Sequence, residues 1–386
     1  MSLKTVGNLR DEVSGILSGL NLSNVTNLYG AFERGARTLL QKCDIPEATG
    51  KDVLTLYSGV YDYPAPTSIF GGTLIDLRPQ GDSRNIIDVV YRQPIELFDR
   101  TKALLPNGYS ITFEYVKGVG RMRIAQVKTQ QNTIIDSMTS DDNWTGGSVT
   151  IIEDETNFYQ NPASLRFNVS SSGYIEKSLN SSIDMEKYEG VGVAFLAIYM
   201  PTVLTNIDLQ IGSSSSNYIT VSNTTGFLQS FTANEWQLVD FDFSTGVETG
   251  TVDWTKIKYV KIIFTGTSNN VRVGKLWASL PSPHEIIYQT DAIFMASGSN
   301  PSSKIVNDND EIILNDSAFT LLTLECSIEV LLQTGGTLSS PMYQTINQRL
   351  HGIRGTNGAM IEIGLYEHYR GQNPSERLRV AGQWYE

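Results

Sequence analysis

Leu314-Asn-Asp-Ser-Ala-Phe-Thr-Leu-Leu-Thr-Leu-Glu-Cys-Ser-Ile-Glu-Val-Leu-Leu-Gln333 is the stretch on which the reading of the chain turns. Its apolar residues Ala318, Phe319, Leu321, Leu322, Leu324, Ile328, Val330, Leu331 and Leu332 wrap most of a helical cylinder, so a helix here needs partners on several sides. Asn315 or Asp316 can cap its first N–H groups, and Gly335-Gly336 can take the left-handed turn that closes it. The best partners lie in the first 43 residues. Leu9, Val13, Ile16, Leu17 and Leu20 mark one face of a helix over 8–20. After a cap at Ser23 or Asn24, the residues Val25, Leu28, Phe32, Ala36, Leu39, Leu40 and Cys43 keep the same period to Asp44, and Pro46 ends it. Two helices with one stripe each are marginal alone, so the two ends of the chain are predicted to share one core.

Between these ends the period changes. Val53 to Tyr57, Gly59 to Pro66 and Thr73 to Arg78 are β-branched, aromatic and broken by Gly and Pro, which predicts strands and extended loops. A short helix is expected over Pro94–Lys102, then a hairpin of Tyr109–Tyr115 and Arg121–Val127 joined through Lys117-Gly-Val-Gly120. From Ser140 to Leu280 there are 15 acidic against 8 basic residues and no Cys. Alternating runs recur at Ser164–Val169, Gly190–Met200, Thr205–Ile211, Tyr218–Val221, Trp236–Phe243, Tyr259–Phe264 and Val271–Leu276, the spacing of a β-sandwich. Beyond Pro281 and Pro283 a strand over 284–288 leads into the core helix. Ser340-Pro341 opens another, marked by Met342, Ile346, Leu350 and Ile353, and Ala359–Arg370 resumes it. The fold class is therefore α+β multidomain. A discontinuous α-helical bundle domain with a β-hairpin, residues 1–139 and 281–386, is interrupted by a sandwich insertion over 140–280, since exposed hairpins tolerate insertion.

Composition narrows the function classes. The formal charge is -12, which disfavours gripping nucleic acid, because phosphate binding needs clustered Lys and Arg. Residues 1–13 lack a signal-peptide pattern and no run approaches the apolar length of a membrane span, so a soluble chain is expected. The two cysteines, Cys43 and Cys326, occupy helical apolar positions, which reads as two buried thiols ahead of a disulfide. His284, His351 and His368 are scattered and without Cys neighbours, so no metal site is expected from them. Gly118-Val-Gly120 lacks the rest of a dinucleotide fingerprint and Gly146-Gly-Ser148 is no nucleophile elbow, so the expectation is a non-enzyme with no catalytic residues. Asp308, Asp310 and Glu311 read as an acidic cluster completing the dipole of the helix that follows.

Two resemblances add to this. The helical hairpin, Gly59-Val-Tyr-Asp-Tyr-Pro-Ala-Pro66 leading into Leu74-Ile-Asp-Leu77, then Ile287-Tyr288, the acidic Asn307–Asp316 entry to the long helix, and Tyr366-Glu-His-Tyr369 with Asn373-Pro374 resemble the head-to-tail adaptors of tailed bacteriophages. That resemblance implies a virion structural protein of the neck, assembled in the host cytoplasm as a homo-oligomeric ring under the portal protein. Its other neighbours would be tail-side stopper or tail proteins, with genome DNA passing through unbound and no membrane partner. A C-terminal arm carrying Arg377, Arg379, Trp384 and Tyr385 would dock on the portal. The insertion, through Asp141-Asp-Asn-Trp144, Asn161-Pro-Ala-Ser-Leu-Arg-Phe167, Ile183-Asp-Met-Glu-Lys-Tyr188, Asn234-Glu-Trp236 and Asn270-Val-Arg-Val-Gly-Lys-Leu276, resembles a jelly-roll carbohydrate-binding module exposed outward.

This second resemblance implies host glycans as an alternative partner and, as the alternative function, a glycan-binding virion or tail/baseplate protein that recognises host polysaccharide. Tyr174 and Tyr218, in polar Gly/Ser/Asn-rich surroundings, are the better sugar-facing candidates, and Trp144 is a further one that reads first as packing. Plain packing or surface roles are the competing reading for each of them, and for Trp236. Such modules often hold a structural calcium through an acid in the last strand. Gly274 stands at that position here, which argues against the ion and leaves only Glu153 or Asp154 as oxygen donors. No other cofactor is expected.

Overall fold

The computed structural model describes residues 4–357 apart from 19, 44, 67, 82–87, 92–107, 117–118, 127–131, 161, 297 and 354–355. The helix expected over Pro94–Lys102, the one over Ala359–Arg370, and the arm residues Arg377, Arg379, Trp384 and Tyr385 lie outside the described residues.

In chain order the structure runs β1 (Lys4–Thr5), α1 (Val6–Ile16), α2 (Leu28–Lys42), β2 (Thr49–Leu56), β3 (Asp62–Pro64), β4 (Ile69–Pro79), β5 (Asp88–Tyr91), β6 (Gly108–Val116) and β7 (Val119–Gln126). The sandwich follows with β8 (Thr133–Asp136), β9 (Trp144–Gly147), β10 (Ile152–Asp154), β11 (Ser164–Val169), β12 (Ser172–Ile183), β13 (Val193–Tyr199), β14 (Asn206–Ser214), β15 (Asn217–Asn223), β16 (Trp236–Asp242), β17 (Val247–Thr249), β18 (Ile257–Thr265) and β19 (Ser268–Ser279). Then come β20 (Ser282–Thr290), β21 (Phe294–Met295), β22 (Glu311–Ile312), α3 (Asp316–Gln333) and α4 (Pro341–His351).

The long helix α3 is buried on nearly every side, as its sequence requires, and packs against α1, α2 and α4 in one apolar cluster. Asn315 caps it by accepting from the Ala318 amide at 2.8 Å, and Gly335 takes φ +86° just after its end. At Gly35 of α2 a Cβ would lie 2.8 Å from Cys326 Sγ and 2.9 Å from its Cα, so the glycine lets the two helices approach to backbone contact. Cys43 and Cys326 are both buried thiols outside any disulfide.

Two local expectations are corrected. Ser23 and Asn24 do not cap α2: they sit in a 3-10 turn, and Asn27, closer to the first apolar contact, accepts from the Gly30 amide at 2.9 Å. The acidic cluster does not serve the dipole of α3, whose first-turn acid is Asp316. It anchors α1 instead. The Val6 and Gly7 amides donate to the Asp310 and Asp308 carbonyls at 2.9 and 2.7 Å, and the Asp308 carboxylate accepts from Arg10 and from the Tyr29 hydroxyl. The free N–H groups of a helix start take whatever acceptor is near, and here that acceptor is the returning chain.

Among the described residues outside the sandwich, strands are as prominent as helices, so the helices that share one core stand beside sheets larger than the expected hairpin. β2, β20 and β4 form one antiparallel sheet, and β3, β7, β6 and β5 form a second sheet in which the β5–β6 pair is parallel and the others antiparallel. The sandwich itself is two six-stranded sheets. One has the order β10-β11-β19-β13-β16 with β8 also on β19, and the other has the order β17-β15-β14-β18-β12-β9. Their inner faces close on a core that includes Phe167, Ile175, Leu196, Ile207, Ile262 and Phe264. β8 belongs to this unit, with Ile135 and Met138 in its core ahead of Ser140.

The two sheets differ in what covers them outside, and this places the site. β13 reads Val-Ala-Phe-Leu-Ala-Ile-Tyr, apolar at every position, as a strand buried on both faces does. Ala194, Leu196 and Ile198 point into the sandwich, while Val193, Phe195 and Ala197 join Trp277 in a separate cluster with Leu54, Leu56, Tyr63, Leu77, Met122 and Ile286 of the scaffold strands. Phe195 stacks on Trp277 at 5.6 Å and 25°, and meets Tyr57 and Phe227 edge-on. The insertion is therefore docked by one sheet onto its scaffold, and the outward exposure expected of it belongs to the other sheet. The outer face of the other sheet remains polar and half-exposed.

Candidate functional site

The register of the open sheet gathers its outward side chains. Tyr174 stands opposite Ile263 and Glu176 opposite Lys261 across β12 and β18, and Lys261 in turn faces Gln210 of β14. Gln210 faces Thr220, and Gly212 faces Tyr218 of β15 on one side and Tyr259 of β18 on the other. Because side chains alternate along a strand, these residues share one face. Tyr174 and Tyr218 are separated by three strand spacings, about 14 Å, and by four residues along the strands, about 13 Å. The diagonal is long enough for several rings of an oligosaccharide.

The face is tied together electrostatically. Lys261 Nζ sits 3.7 Å from the centre of the Tyr174 ring and 3.8 Å from a Glu176 carboxylate oxygen. The Tyr259 hydroxyl donates to Glu176 at 3.1 Å, and the Tyr259 and Tyr218 rings lie 6.1 Å apart. Burial first, and then the Glu176 carboxylate, raise the Tyr259 pKa, so its hydroxyl stays a donor. The Gln210 amide donates to Thr220 at 3.4 Å and Asn206 donates to Asp208 at 2.7 Å. Carboxylates, amides and hydroxyls beside half-buried tyrosine rings can bond sugar hydroxyls while the rings receive the C–H face of a pyranose.

Of the residues singled out from sequence, Tyr174 and Tyr218 are brought onto this face. Trp144 is not, and its expected sugar-facing role is corrected: it is 7% exposed in the sandwich core, with Lys177 Nζ 5.5 Å from its ring. The alternation of β9 opposite Lys177 rather than Glu176 turns it inward. Tyr174 is also less available than its sequence neighbourhood suggests, because it covers Gly147 on β9 and carries Lys261 on its ring. Tyr218 is the better stacking platform. Sequence reasoning missed Glu176, Lys261, Gln210 and Tyr259: Glu176 shares the parity of Tyr174 on its own strand, whereas the other three join the face only through the register of β14 and β18.

The calcium position can be tested against its residues. Asp154 is 4% exposed, and its carboxylate accepts from Arg272 at 2.7 Å and from the Thr156 amide and hydroxyl at 2.9 and 2.5 Å. Arg166 lies at 3.8 Å. Burial lifts the Asp154 pKa, but the Thr156 bonds and Arg272 outweigh it and hold the carboxyl well below the usual carboxylate range. Glu153 is exposed and Gly274 lies against Tyr159, so guanidinium groups stand where a cation would have to sit and the residues present do not fit one. Among the described residues no group of three or more His, Cys, Asp or Glu gathers for a metal. His284 is buried with Nδ1 2.8 Å from the Ser282 carbonyl, and burial lowers its pKa.

No protein-family model matches the chain, and neither does any curated protein sequence. Solved structures do. The family 11 carbohydrate-binding module of the cellulosomal cellulase Lic26A-Cel5E of Clostridium thermocellum is 13% identical, over 40% of this chain and 97% of that one, with a TM-score of 0.30. TmCBM61, in complex with β-1,4-galactotriose, is 12% identical over 39% of this chain and 98% of that one, with a TM-score of 0.25. The enzymatically active domain of tailspike protein 4 of bacteriophage CBA120 is 10% identical over 37% of this chain and 20% of that one, with a TM-score of 0.25. These likenesses span about two-fifths of the chain, and the functional reading rests on its own side chains.

Proposed function

We propose that this chain is a glycan-binding protein whose inserted β-sandwich holds an oligosaccharide across its open sheet. The observation that carries this reading is the shared outward face of Tyr174, Tyr218 and Tyr259 with Glu176, Lys261 and Gln210. Tyr218 stacks on one ring, Gln210 and Glu176 accept from hydroxyls, and Lys261 donates to ring or hydroxyl oxygens. The docked sheet offers no such open face, since most of its outer surface packs on the scaffold. A glycan array probed with the full chain tests the reading. Binding to a set of related oligosaccharides is expected, and binding to none would overturn it.

The scaffold carries a second reading. Helices from residues 6–42 and 316–351 share one core, so the sandwich is a module carried on a body whose two ends meet. For such a body we propose, on the sequence resemblance alone, a virion neck component, a head-to-tail adaptor that would form a ring with neighbouring copies on the portal protein and dock through Arg377, Arg379, Trp384 and Tyr385. Imaging of the chain with its cognate portal ring tests it: stacked density lost on removal of residues 377–386 is expected, and bare portal rings would contradict it.

A further inference from the structure

A second site lies away from the open sheet, at the seam between scaffold and sandwich. There a groove of about 150 Å³ is lined from the scaffold by Tyr61, Asp62 and Arg121, and from the sandwich by Tyr159, Glu235 and Trp236. Neither body makes this groove alone.

Its chemistry is specific. Trp236 is half-buried, with Tyr159 and Tyr199 packed against it at ring separations of 5.7 and 5.9 Å and its indole N–H held by Asn157 at 2.8 Å. That bond fixes the ring plane. Tyr61 and Tyr159 remain 54% and 37% exposed, large for aromatic side chains brought together at one opening. Asp62 is locked in place by the fork of Arg123, with bonds of 2.5 and 2.8 Å, and Arg121 lies 3.6 Å from it. A carboxylate accepts about four hydrogen bonds, so Asp62 keeps acceptor capacity toward the groove after the two from Arg123. Glu235 is oriented by the Thr232 hydroxyl and by the Gln229 amide at 3.4 Å.

Aromatic walls with fixed carboxylate acceptors and one guanidinium donor suit a ring that has an apolar face and a rim of hydroxyls. The acids among the lining outnumber Arg121, which disfavours an anionic ligand. We propose that this groove is a saccharide site, taking a neutral pyranose unit between Tyr61, Tyr159 and Trp236, with Asp62 and Glu235 accepting from its hydroxyls. It shares with the open-sheet reading only the ligand class, and it stands or falls on different residues. Because scaffold and sandwich both contribute, a bound sugar also clamps one to the other.

The test follows the indole N–H signal of Trp236 by NMR in the full chain, assigned through Trp236→Phe. The probes are the methyl pyranosides of glucose, galactose and mannose. A saturable shift with at least one of them is expected. Tyr61→Ala should weaken it about tenfold, in keeping with the loss of one aromatic contact, while Tyr218→Ala on the open sheet leaves it unchanged. Tyr61 is exposed, so its variant folds; Tyr159→Ala gives a second reading of the same wall. No shift with any of the three sugars would overturn the proposal. So would a shift indifferent to both tyrosine substitutions, or one produced by an acetylated lysine amide and not by sugars. Loss of array binding in Tyr218→Ala with the Trp236 shift intact would separate this site from the open sheet.

Discussion

Trp277→Ala tests whether the sandwich is truly docked on its scaffold. The side chain is fully buried, stacks on Phe195 at 5.6 Å, and donates from its indole N–H to the Ser58 carbonyl at 3.0 Å. A tryptophan buries about 200 Å², which at about 25 cal/mol per Å² is ~5 kcal/mol. Core truncations of this type cost about 3–5 kcal/mol, within which the exposed Ser58 carbonyl is included. A loss of about 4 kcal/mol is therefore expected. Trp277 lies outside the apolar cluster that closes the sandwich, so that core should survive. Urea unfolding followed by far- and near-ultraviolet circular dichroism reads both effects. The aromatic signal should fall at lower urea than in the native chain, ahead of the bulk β signal. A loss below about 1 kcal/mol with coincident, unshifted transitions would refute the docked arrangement.

Three further outcomes follow from named contacts. Gly35→Ala should lower the melting temperature, because overpacking against the Cys326 backbone costs about 1–3 kcal/mol and exceeds the helix-propensity gain of ~1 kcal/mol; a rise would contradict the close approach of α2 and α3. Asp154→Asn strands Arg272 and Arg166 and should cost about 3 kcal/mol at neutral pH. Since the folded carboxyl titrates below its unfolded range, its contribution is present above that range and lost as pH falls, so the gap between the two chains in thermal scans should shrink in acid. For Glu325 the sign is opposite. Burial raises its pKa against the pull of Lys42 at 2.7 Å, so the group's stabilising contribution is full below the unfolded pKa and fades as pH rises through the folded value. Glu325→Gln should then gain on the native chain between pH 4 and pH 7, and a falling difference would refute this.

The described helices and most sandwich strands were legible because each carries its own period. Asn315 and Ser340-Pro341 mark helix starts through local chemistry alone, and the runs from Ser164 to Leu276 alternate as strands with one wet face do. β12 was missed because Ser178, Asn180, Ser181 and Ser182 give it the composition of a loop, and only pairing with β18 makes it a strand. The docking was written in β13, whose unbroken apolar run fits no half-exposed strand, but what covers it is set by residues far away in sequence on both sides, from Leu54 to Met122 and at Ile286. The same holds for the open face. Tyr174 and Tyr218 stood out by their polar neighbours, whereas Glu176, Lys261 and Gln210 became part of a site only through the register of three strands. For Trp144 the packing reading is the one the structure shows, because strand parity turns the indole inward.

The most direct measurement is calorimetric titration of the full chain, native and Tyr218→Ala/Gln210→Ala, with the best oligosaccharide from the array and with its single-sugar unit. Binding on the open sheet requires that the oligosaccharide bind the native chain much more tightly than the single sugar, and that the double substitution weaken it at least tenfold, about 1.4 kcal/mol, with the fold intact. Equal affinity for both ligands, or an unchanged affinity in the double variant, would contradict it.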